Sequence, residues 1–334
     1  MRAALIGTGF GEQHLSWLTK CPQVELDSVV YATNRERAER LARRFGAAKV
    51  SDDAADATDG PSDLVIVASP VFLHAEHAAR ALSNGKSVVC EKPLALTTAQ
   101  AQALCSAARE HDAATMVMFQ WRFHPALQTL RDALREGRLG RPVCADLQFH
   151  HDFLAGEPTP FPWRHTPGQA GAGAFADMGV HLFDLLRWLT GEEFHVAGTL
   201  SSTLWASRRS ASGTVAGNTE DTGAALLRAD SGFPATVSVS RVTGGRRSLR
   251  VSLSGDAGSA WADVCPETTA ASLASSVPGL QGAWAPGSLR NPYLDFLAPV
   301  SGTAGSHVPD FSAGLAAQRL LDAVRMSEVA PVGQ

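Results

Sequence analysis

Apolar and polar positions divide the chain into two rhythms. Over the first third, short apolar runs alternate with stretches of helical periodicity. Residues 3–6, 26–31, 64–68, 87–90 and 116–119 read as strands. Residues 13–19, 35–45, 75–82 and 98–110 read as helices, the last opened by Thr97 and Thr98 as candidate caps. The run 64–68 (LVIVA) is unbroken, as a strand covered on both faces should be. Strands alternating with helices of this length predict an α/β domain with a doubly wound parallel sheet.

Beyond residue 125 the rhythm changes. A helix over 126–135 and a turn over 137–142 precede strand-like stretches at 143–151, 195–207, 223–228, 235–241 and 249–254. Asp230-Ser231-Gly232 and Gly244-Gly245 read as hairpin turns between three of them. One helix interrupts the series near 179–189. The second half is therefore expected to be α+β with an antiparallel sheet. A last helix, about 312–327, carries Leu315, Leu320, Leu321 and Val324 and is expected to pack back on a core. Residues 206–218 and 265–290 look loop-like. The expected division is 1–122 and 123–334, two domains for 334 residues.

Composition removes several classes of partner. The formal net charge of −4 leaves no basic footprint for nucleic acid or an anionic membrane. No apolar run approaches the roughly 18 residues of a membrane helix, and the apolar stretch 3–6 is too short for a signal peptide. Cys21, Cys90, Cys105, Cys144 and Cys265 form no CxxC pair, which fits reduced thiols and a cytoplasmic location. His150 and His151 would face opposite sides of a strand, so no metal site is expected.

The first strand runs into Gly7-Thr8-Gly9-Phe10-Gly11 and then into a helix. Glycine there allows a tight turn and close approach of backbone to a pyrophosphate, and the helix N-terminus offers free N–H groups. The third glycine of GxGxxG would fall at Glu12, and Gly11 stands one residue earlier. About 21 residues after Gly11 the second strand ends in Ala32-Thr33-Asn34-Arg35, where an acid would hold the ribose of NAD. With no carboxylate to repel a 2′-phosphate and Arg35 able to pair with it, NADP is favoured over NAD. Arg35 and Arg37 equally fit the solvated face of the following helix.

Three further features carry a family resemblance. They are the segment from Asp63 through Ser69, Pro70 and His74, then Glu91-Lys92-Pro93 at the end of a strand, then Ala176-Asp177-Met178-Gly179-Val180-His181. Trp121-Arg122-Phe123-His124-Pro125, Gly137-Arg138-Leu139-Gly140, Trp163-Arg164 and Glu220-Asp221-Thr222 agree with them. In these pieces the chain resembles the Gfo/Idh/MocA oxidoreductases, the glucose–fructose oxidoreductase and inositol dehydrogenase family. The match is weakest over 265–300. The resemblance implies a hydride transfer between NAD(P) and a secondary alcohol or ketone of a sugar, a sugar derivative such as a nucleotide-linked ketosugar, or an inositol. It also implies an N-terminal Rossmann domain, a C-terminal α+β domain built on a large open antiparallel sheet, and a homodimer or homotetramer made through that sheet.

By position, the resemblance makes Lys92, Asp177 and His181 the catalytic residues. Gly7, Thr8, Gly9, Phe10, Gly11, Thr33, Asn34, Arg35, Ser69, Pro70, His74, Glu91, Lys92, Pro93, Gln120, Arg122, Trp163 and Arg164 are the expected cofactor contacts, with Glu91 fixing the cofactor or Lys92. The residue chemistry agrees. Spacing of four puts Asp177 and His181 on one face of a regular helix, where a carboxylate can orient an imidazole. A lysine at a strand's C-terminal end lies where doubly wound sheets bind ligands, and its charge favours a developing alkoxide. Reduction of a C=N or C=C bond, and non-catalytic NADP binding, are the alternative readings.

Overall fold

In the computed structural model the described residues are 1–156, 158, 162–211, 213–298 and 307–327, with the side chains of Pro162, Trp163 and Pro167 left outside. The chain forms two compact units, Met1–Met118 with Asn291–Gln318, and Phe119–Arg290 with Arg319–Gln334.

The first unit begins with β1 (Arg2–Ile6), α1 (Gly11–Leu18), β2 (Glu25–Val30) and α2 (Arg35–Phe45). It continues with β3 (Lys49–Ser51), α3 (Ala55–Thr58), β4 (Leu64–Val67), α4 (His74–Ser83), β5 (Ser87–Cys90), α5 (Thr98–Glu110) and β6 (Thr115–Val117). The six strands are all parallel in the order β3-β2-β1-β4-β5-β6. This is the doubly wound arrangement the alternation predicts. The sheet has one strand more than the pattern shows, because β3 is three half-exposed residues with too little apolar content to register. All four residues of β4 are buried, so the unbroken apolar run is indeed covered on both faces. Thr97 caps α5 by accepting the Gln100 amide, and Asn34 caps α2 by accepting that of Arg37.

Strand order reverses between β1 and β4, the switch point where ligands of such sheets bind. The loops leaving these two strands are Gly7–Gly11 and Ser69–Pro70.

The second unit has α6 (Pro125–Arg135), β7 (Pro142–His150), α7 (Pro167–Ala170), a π-helical turn (Phe175–Gly179) and α8 (Val180–Thr190). Then come β8 (Phe194–Ser202), β9 (Ser207–Ser210), β10 (Gly213–Ala216), β11 (Thr222–Ala229), β12 (Pro234–Ser240), β13 (Ser248–Gly255), β14 (Ser259–Val264), β15 (Ala271–Ser275) and β16 (Gly282–Trp284). Eight strands form one sheet, β16-β15-β14-β13-β7-β12-β11-β8, and β9 and β10 form a separate hairpin. Leu147, Phe149, Val237, Val239, Val251 and Leu253 are buried on one face of this sheet; α8 contacts β7 and α6 contacts β14, β15 and β16, with Leu127, Leu130, Leu182 and Leu186 of these helices buried. A short helix, α9 (Pro292–Phe296), belongs to the first unit, and α10 (Phe311–Met326) ends the described chain with Leu315, Leu320, Leu321 and Val324 buried.

Several expectations change, and the stretches 206–218 and 265–290 that look loop-like hold β9, β10, β15 and β16. The large sheet is mixed rather than wholly antiparallel, since β7 and β12 run parallel. Gly244-Gly245 does not close a hairpin, because β7 lies between β12 and β13 and the loop must step past it. The strand expected over 195–207 is two strands in two different sheets. Strand pairing across β7 is a long-range choice that no local turn signal encodes. By contrast Asp230-Ser231-Gly232 does join a hairpin, β11 to β12, with Gly232 at φ +99°.

Candidate functional site

In the first unit, Gly7 closes the turn after β1 with φ +102°, and its amide donates to Val30 O at 2.9 Å. A Cβ at Gly7 would lie 2.2 Å from Ala68 O, so the turn is pressed against the end of β4 and only glycine fits. Gly11 is likewise packed on Leu5, where a Cβ would come within 2.8 Å, and it thus takes the close-packing role a third glycine would have. Space opens beside Gly9, which has nothing within 4 Å of a Cβ position. The first turn of α1 has no side-chain cap. Thr8 and exposed Phe10 border this turn. Uncapped amides beside an open glycine suit an anionic diphosphate.

At the end of β2, Ala32, Thr33, Asn34 and Arg35 are exposed and bring no carboxylate. Arg35 pairs with Glu39 on the outer face of α2 at 2.9 Å. Arg37 instead reaches the glycine turn, donating to Gly9 O at 3.1 Å and facing Glu12 at 3.4 Å. Glu12 also meets Arg44 at 2.7 Å. Of the two arginines weighed from sequence, Arg37 is the one at the turn.

His74 links the loop after β4 to the loop after β5. Its Nδ1 lies 2.8 Å from Pro93 O and its Nε2 2.8 Å from Ser69 O. A neutral ring donates to only one of them. Burial pushes the His74 ring down against the pull of both carbonyls and of Glu91. Ser69 Oγ meets His77 Nδ1 at 3.1 Å. Half-buried Lys92 follows β5, and its amide donates to Glu91 Oε2 at 3.2 Å. Glu91 is buried and takes a second hydrogen bond from His14 at 3.0 Å. Burial works to raise the Glu91 carboxyl, yet His14, the Lys92 charge and the Lys92 amide hold it below the usual carboxylate range.

In the second unit, Asp177 lies in the π turn and His181 in the first turn of α8. A π turn closes i→i+5, so the four-residue spacing does not align the two side chains as a regular α-helix would. Asp177 is instead gripped by arginines: Oδ1 by Arg164, and Oδ2 by Arg241 at 3.4 Å. Arg241 is fully buried and also donates to Asp221 Oδ1 at 3.2 Å, which accepts from fully buried Arg208 at 2.8 Å. Glu220 accepts the amides of Gly173 and Phe175 at 2.8 and 3.0 Å and so anchors the start of this helical segment. A Cβ on Gly173 would sit 1.9 Å from Glu220 O, which fixes glycine there.

His181 is buried between Phe119 and Phe149, whose ring centroids are 5.8 and 6.3 Å away. Gln120 is half-buried on the turn Gln120–Phe123. Arg122 makes a bidentate pair with Asp184 at 2.8 and 2.5 Å, both side chains buried, so its fork is already filled by a carboxylate of its own unit. The side chain of Trp163 lies outside the described residues. His14, Tyr293, Arg208 and Arg241 carry no mark in the sequence, whereas Asp221 lies in a stretch that matches the family. Glu220-Asp221-Thr222 was the one local signal near them, and nothing in single-residue type marks a histidine or arginine as buried.

A family model described as an oxidoreductase family with an NAD-binding Rossmann fold matches residues 1–119, and the GFO/IDH/MocA C-terminal domain matches residues 127–261. The chain belongs to the Gfo/Idh/MocA oxidoreductase family. Its first unit is that family's NAD-binding Rossmann fold. Levoglucosan dehydrogenase of Pseudarthrobacter phenanthrenivorans is 33% identical over 211 residues, 60% of this chain and 54% of the relative. This chain thus spans about half the length of that curated relative. Myo-inositol 2-dehydrogenase of Thermotoga maritima is 28% identical over 274 residues, 80% of this chain and 77% of the relative. Among solved structures, levoglucosan dehydrogenase in complex with NADH and levoglucosan superposes with a TM-score of 0.83 at 26% identity, covering 98% of this chain and 96% of that one. An oxidoreductase domain protein from Kribbella flavida shares the fold at a TM-score of 0.85 and 24% identity, covering 97% and 96%. Among the described residues of this family member, no helix is long and apolar enough to cross a membrane.

Proposed function

We propose that the protein is an NAD(P)-dependent oxidoreductase acting on a secondary alcohol or ketone of a sugar, a sugar derivative or an inositol. The observation that carries this reading is Lys92. It stands at the C-terminal end of β5, beside a buried carboxylate, in a unit whose glycine turn is open and uncapped for a diphosphate. When bound, the nicotinamide accepts or returns the hydride. The chain's residues do the rest. Lys92 places a positive charge where an alkoxide develops and so lowers the pKa of the substrate hydroxyl. His181 is the proton acceptor in oxidation and the donor in reduction. Asp177 is held by Arg164 and Arg241 four residues before His181.

For the dinucleotide we propose NADP ahead of NAD. No acid stands at the end of β2, and Arg37 lies over the glycine turn. The levoglucosan dehydrogenase neighbour holds NADH, so the two dinucleotides are the competing expectations for one test. The substrate class follows the dehydrogenases of levoglucosan and inositol among the relatives.

We further propose a homo-oligomer through the eight-stranded sheet. Leu226, Thr236, Asp146, Ser252 and Trp261 form one row across β11, β12, β7, β13 and β14. Leu226 and Trp261 on that row are 58% and 41% exposed, and Leu200 on the same face is 66% exposed.

The deciding experiment follows nicotinamide absorbance with NADP and NAD over a panel of sugars, anhydrosugars and inositols. Turnover of at least one supports the reading. Tight dinucleotide binding with no turnover of any panel member overturns it in favour of a binding protein.

A further inference from the structure

Three buried polar side chains from distant parts of the sequence meet behind Lys92. Tyr293 Oη lies 2.7 Å from His14 Nδ1, and His14 Nε2 lies 3.0 Å from Glu91 Oε1. Glu91 Oε2 accepts the Lys92 amide at 3.2 Å. Tyr293 and His14 are fully buried and Glu91 nearly so. Asn291 pins the segment that carries the tyrosine: its Oδ1 accepts the Tyr293 amide at 3.0 Å and its Nδ2 donates to Trp17 O at 2.8 Å.

The proton positions follow from the partners. Burial and then the Glu91 charge push the Tyr293 phenol well up, so its hydroxyl keeps its proton and donates to His14 Nδ1. The other ring nitrogen, Nε2–H, then donates to Glu91. A carboxylate buried in a core is costly unless each oxygen is satisfied, and here both are. The titratable groups about Glu91 are His14, Lys92, Cys90, His74 and Tyr293. Of these, Lys92 is the one whose charge acts on Glu91 together with its backbone amide.

We propose that Tyr293 and His14 are positioning residues that hold the Glu91 carboxylate beside Lys92, and that they thereby fix the lysine's place and charge for its work on the substrate. The proposal deepens the reading of Lys92 above and rests on it. Tyr293 acts through His14, and His14 through Glu91; neither touches a reacting atom.

The test uses the full chain, which has only four lysines: Lys20, Lys49, Lys86 and Lys92. The rate of acetic anhydride acylation at each is followed against pH by peptide mass spectrometry. Exposed Lys20 is the internal reference. In Tyr293→Phe the Lys92 midpoint should move down by about 0.5–1 pH unit as the carboxylate loosens, with Lys20 unmoved. His14→Ala should move it at least as far, and His14→Gln, which keeps a donor toward Glu91, should restore most of it. An unchanged Lys92 midpoint in folded Tyr293→Phe overturns the proposal. The labelling needs no turnover. If Lys92→Ala keeps its activity, the catalytic reading fails on its own, and the midpoints still decide whether this network controls the lysine.

Discussion

Arg122 and Asp184 face each other through two parallel hydrogen bonds, 2.8 Å and 2.5 Å long, with both side chains buried between the turn at Gln120–Phe123 and α8. The guanidinium also stands 5.9 Å from the Trp188 ring. A bidentate pair out of water is held by geometry, and removing one partner strands the other. Asp184→Ala should therefore lower stability by about 3–5 kcal/mol, read from denaturant midpoints. A loss below about 1 kcal/mol would show that water reaches the arginine.

Lys92→Ala should reduce turnover at least a thousandfold while dinucleotide affinity, read by fluorescence titration, changes less than about threefold. The glycine turn and α1 hold the diphosphate, and Lys92 is assigned to the substrate. A variant that loses dinucleotide affinity yet turns over normally at saturation would reverse that assignment.

Arg37 rather than Arg35 should govern the 2′-phosphate. Arg35 is committed to Glu39 on the solvated side of α2, whereas Arg37 reaches Gly9 O. Arg37→Ala should weaken NADP about tenfold more than NAD, and Arg35→Ala should have a smaller effect in the same direction. Ala32→Asp should shift preference toward NAD by restoring a ribose acceptor and repelling the phosphate. Equal losses for both dinucleotides in Arg37→Ala would remove the basis for favouring NADP.

Acid should destabilise the protein before its carboxylates titrate. Burial, then the charges of Arg241 and Arg208, push His165 down to about 4. His74, His77, His124 and His150 are lowered by burial as well. An unfolded histidine titrates near ~6.5. Between those values the unfolded chain binds the proton and the folded chain does not, so stability is full above about 6.5 and declines as pH falls toward 4. His165 alone should account for about 2–3 kcal/mol across that window. His165→Gln should flatten the dependence of unfolding free energy on pH between 6.5 and 4.5. A slope identical to that of the unaltered protein would contradict the assignment.

Leu226→Glu combined with Leu200→Glu should split the proposed oligomer, since each puts a charge on the exposed apolar face of β11 and β8. Sedimentation velocity gives the answer. If the double variant sediments as the unaltered protein does, the contact lies elsewhere.

Much of this was written locally. The glycine turn, the fully apolar β4, the cap at Thr97 and the β11–β12 hairpin all depend on residues within a few positions of one another, and the sequence displays them directly. Lys92, Asp177 and His181 are found by motif, and the structure places Lys92 at the end of β5 and the other two on one helical segment. The short strands were not legible. β3, β9, β10, β15 and β16 are three to five residues long and mostly exposed or half-exposed, so their periodicity is too brief to read.

The sequence by itself determined a doubly wound parallel sheet with a dinucleotide turn, a second sheet-rich half and a lysine at a strand end. Each of these follows from short-range pattern and backbone sterics. The tertiary structure decided which charges are buried and what they hold. Tyr293 reaches His14 across 279 positions. β7 inserts between β12 and β13, and Asp177 turns its oxygens to Arg164 and Arg241. A polar residue's type does not reveal whether it will meet water or another side chain. That depends on which distant segments pack around it, and only the folded chain supplies them.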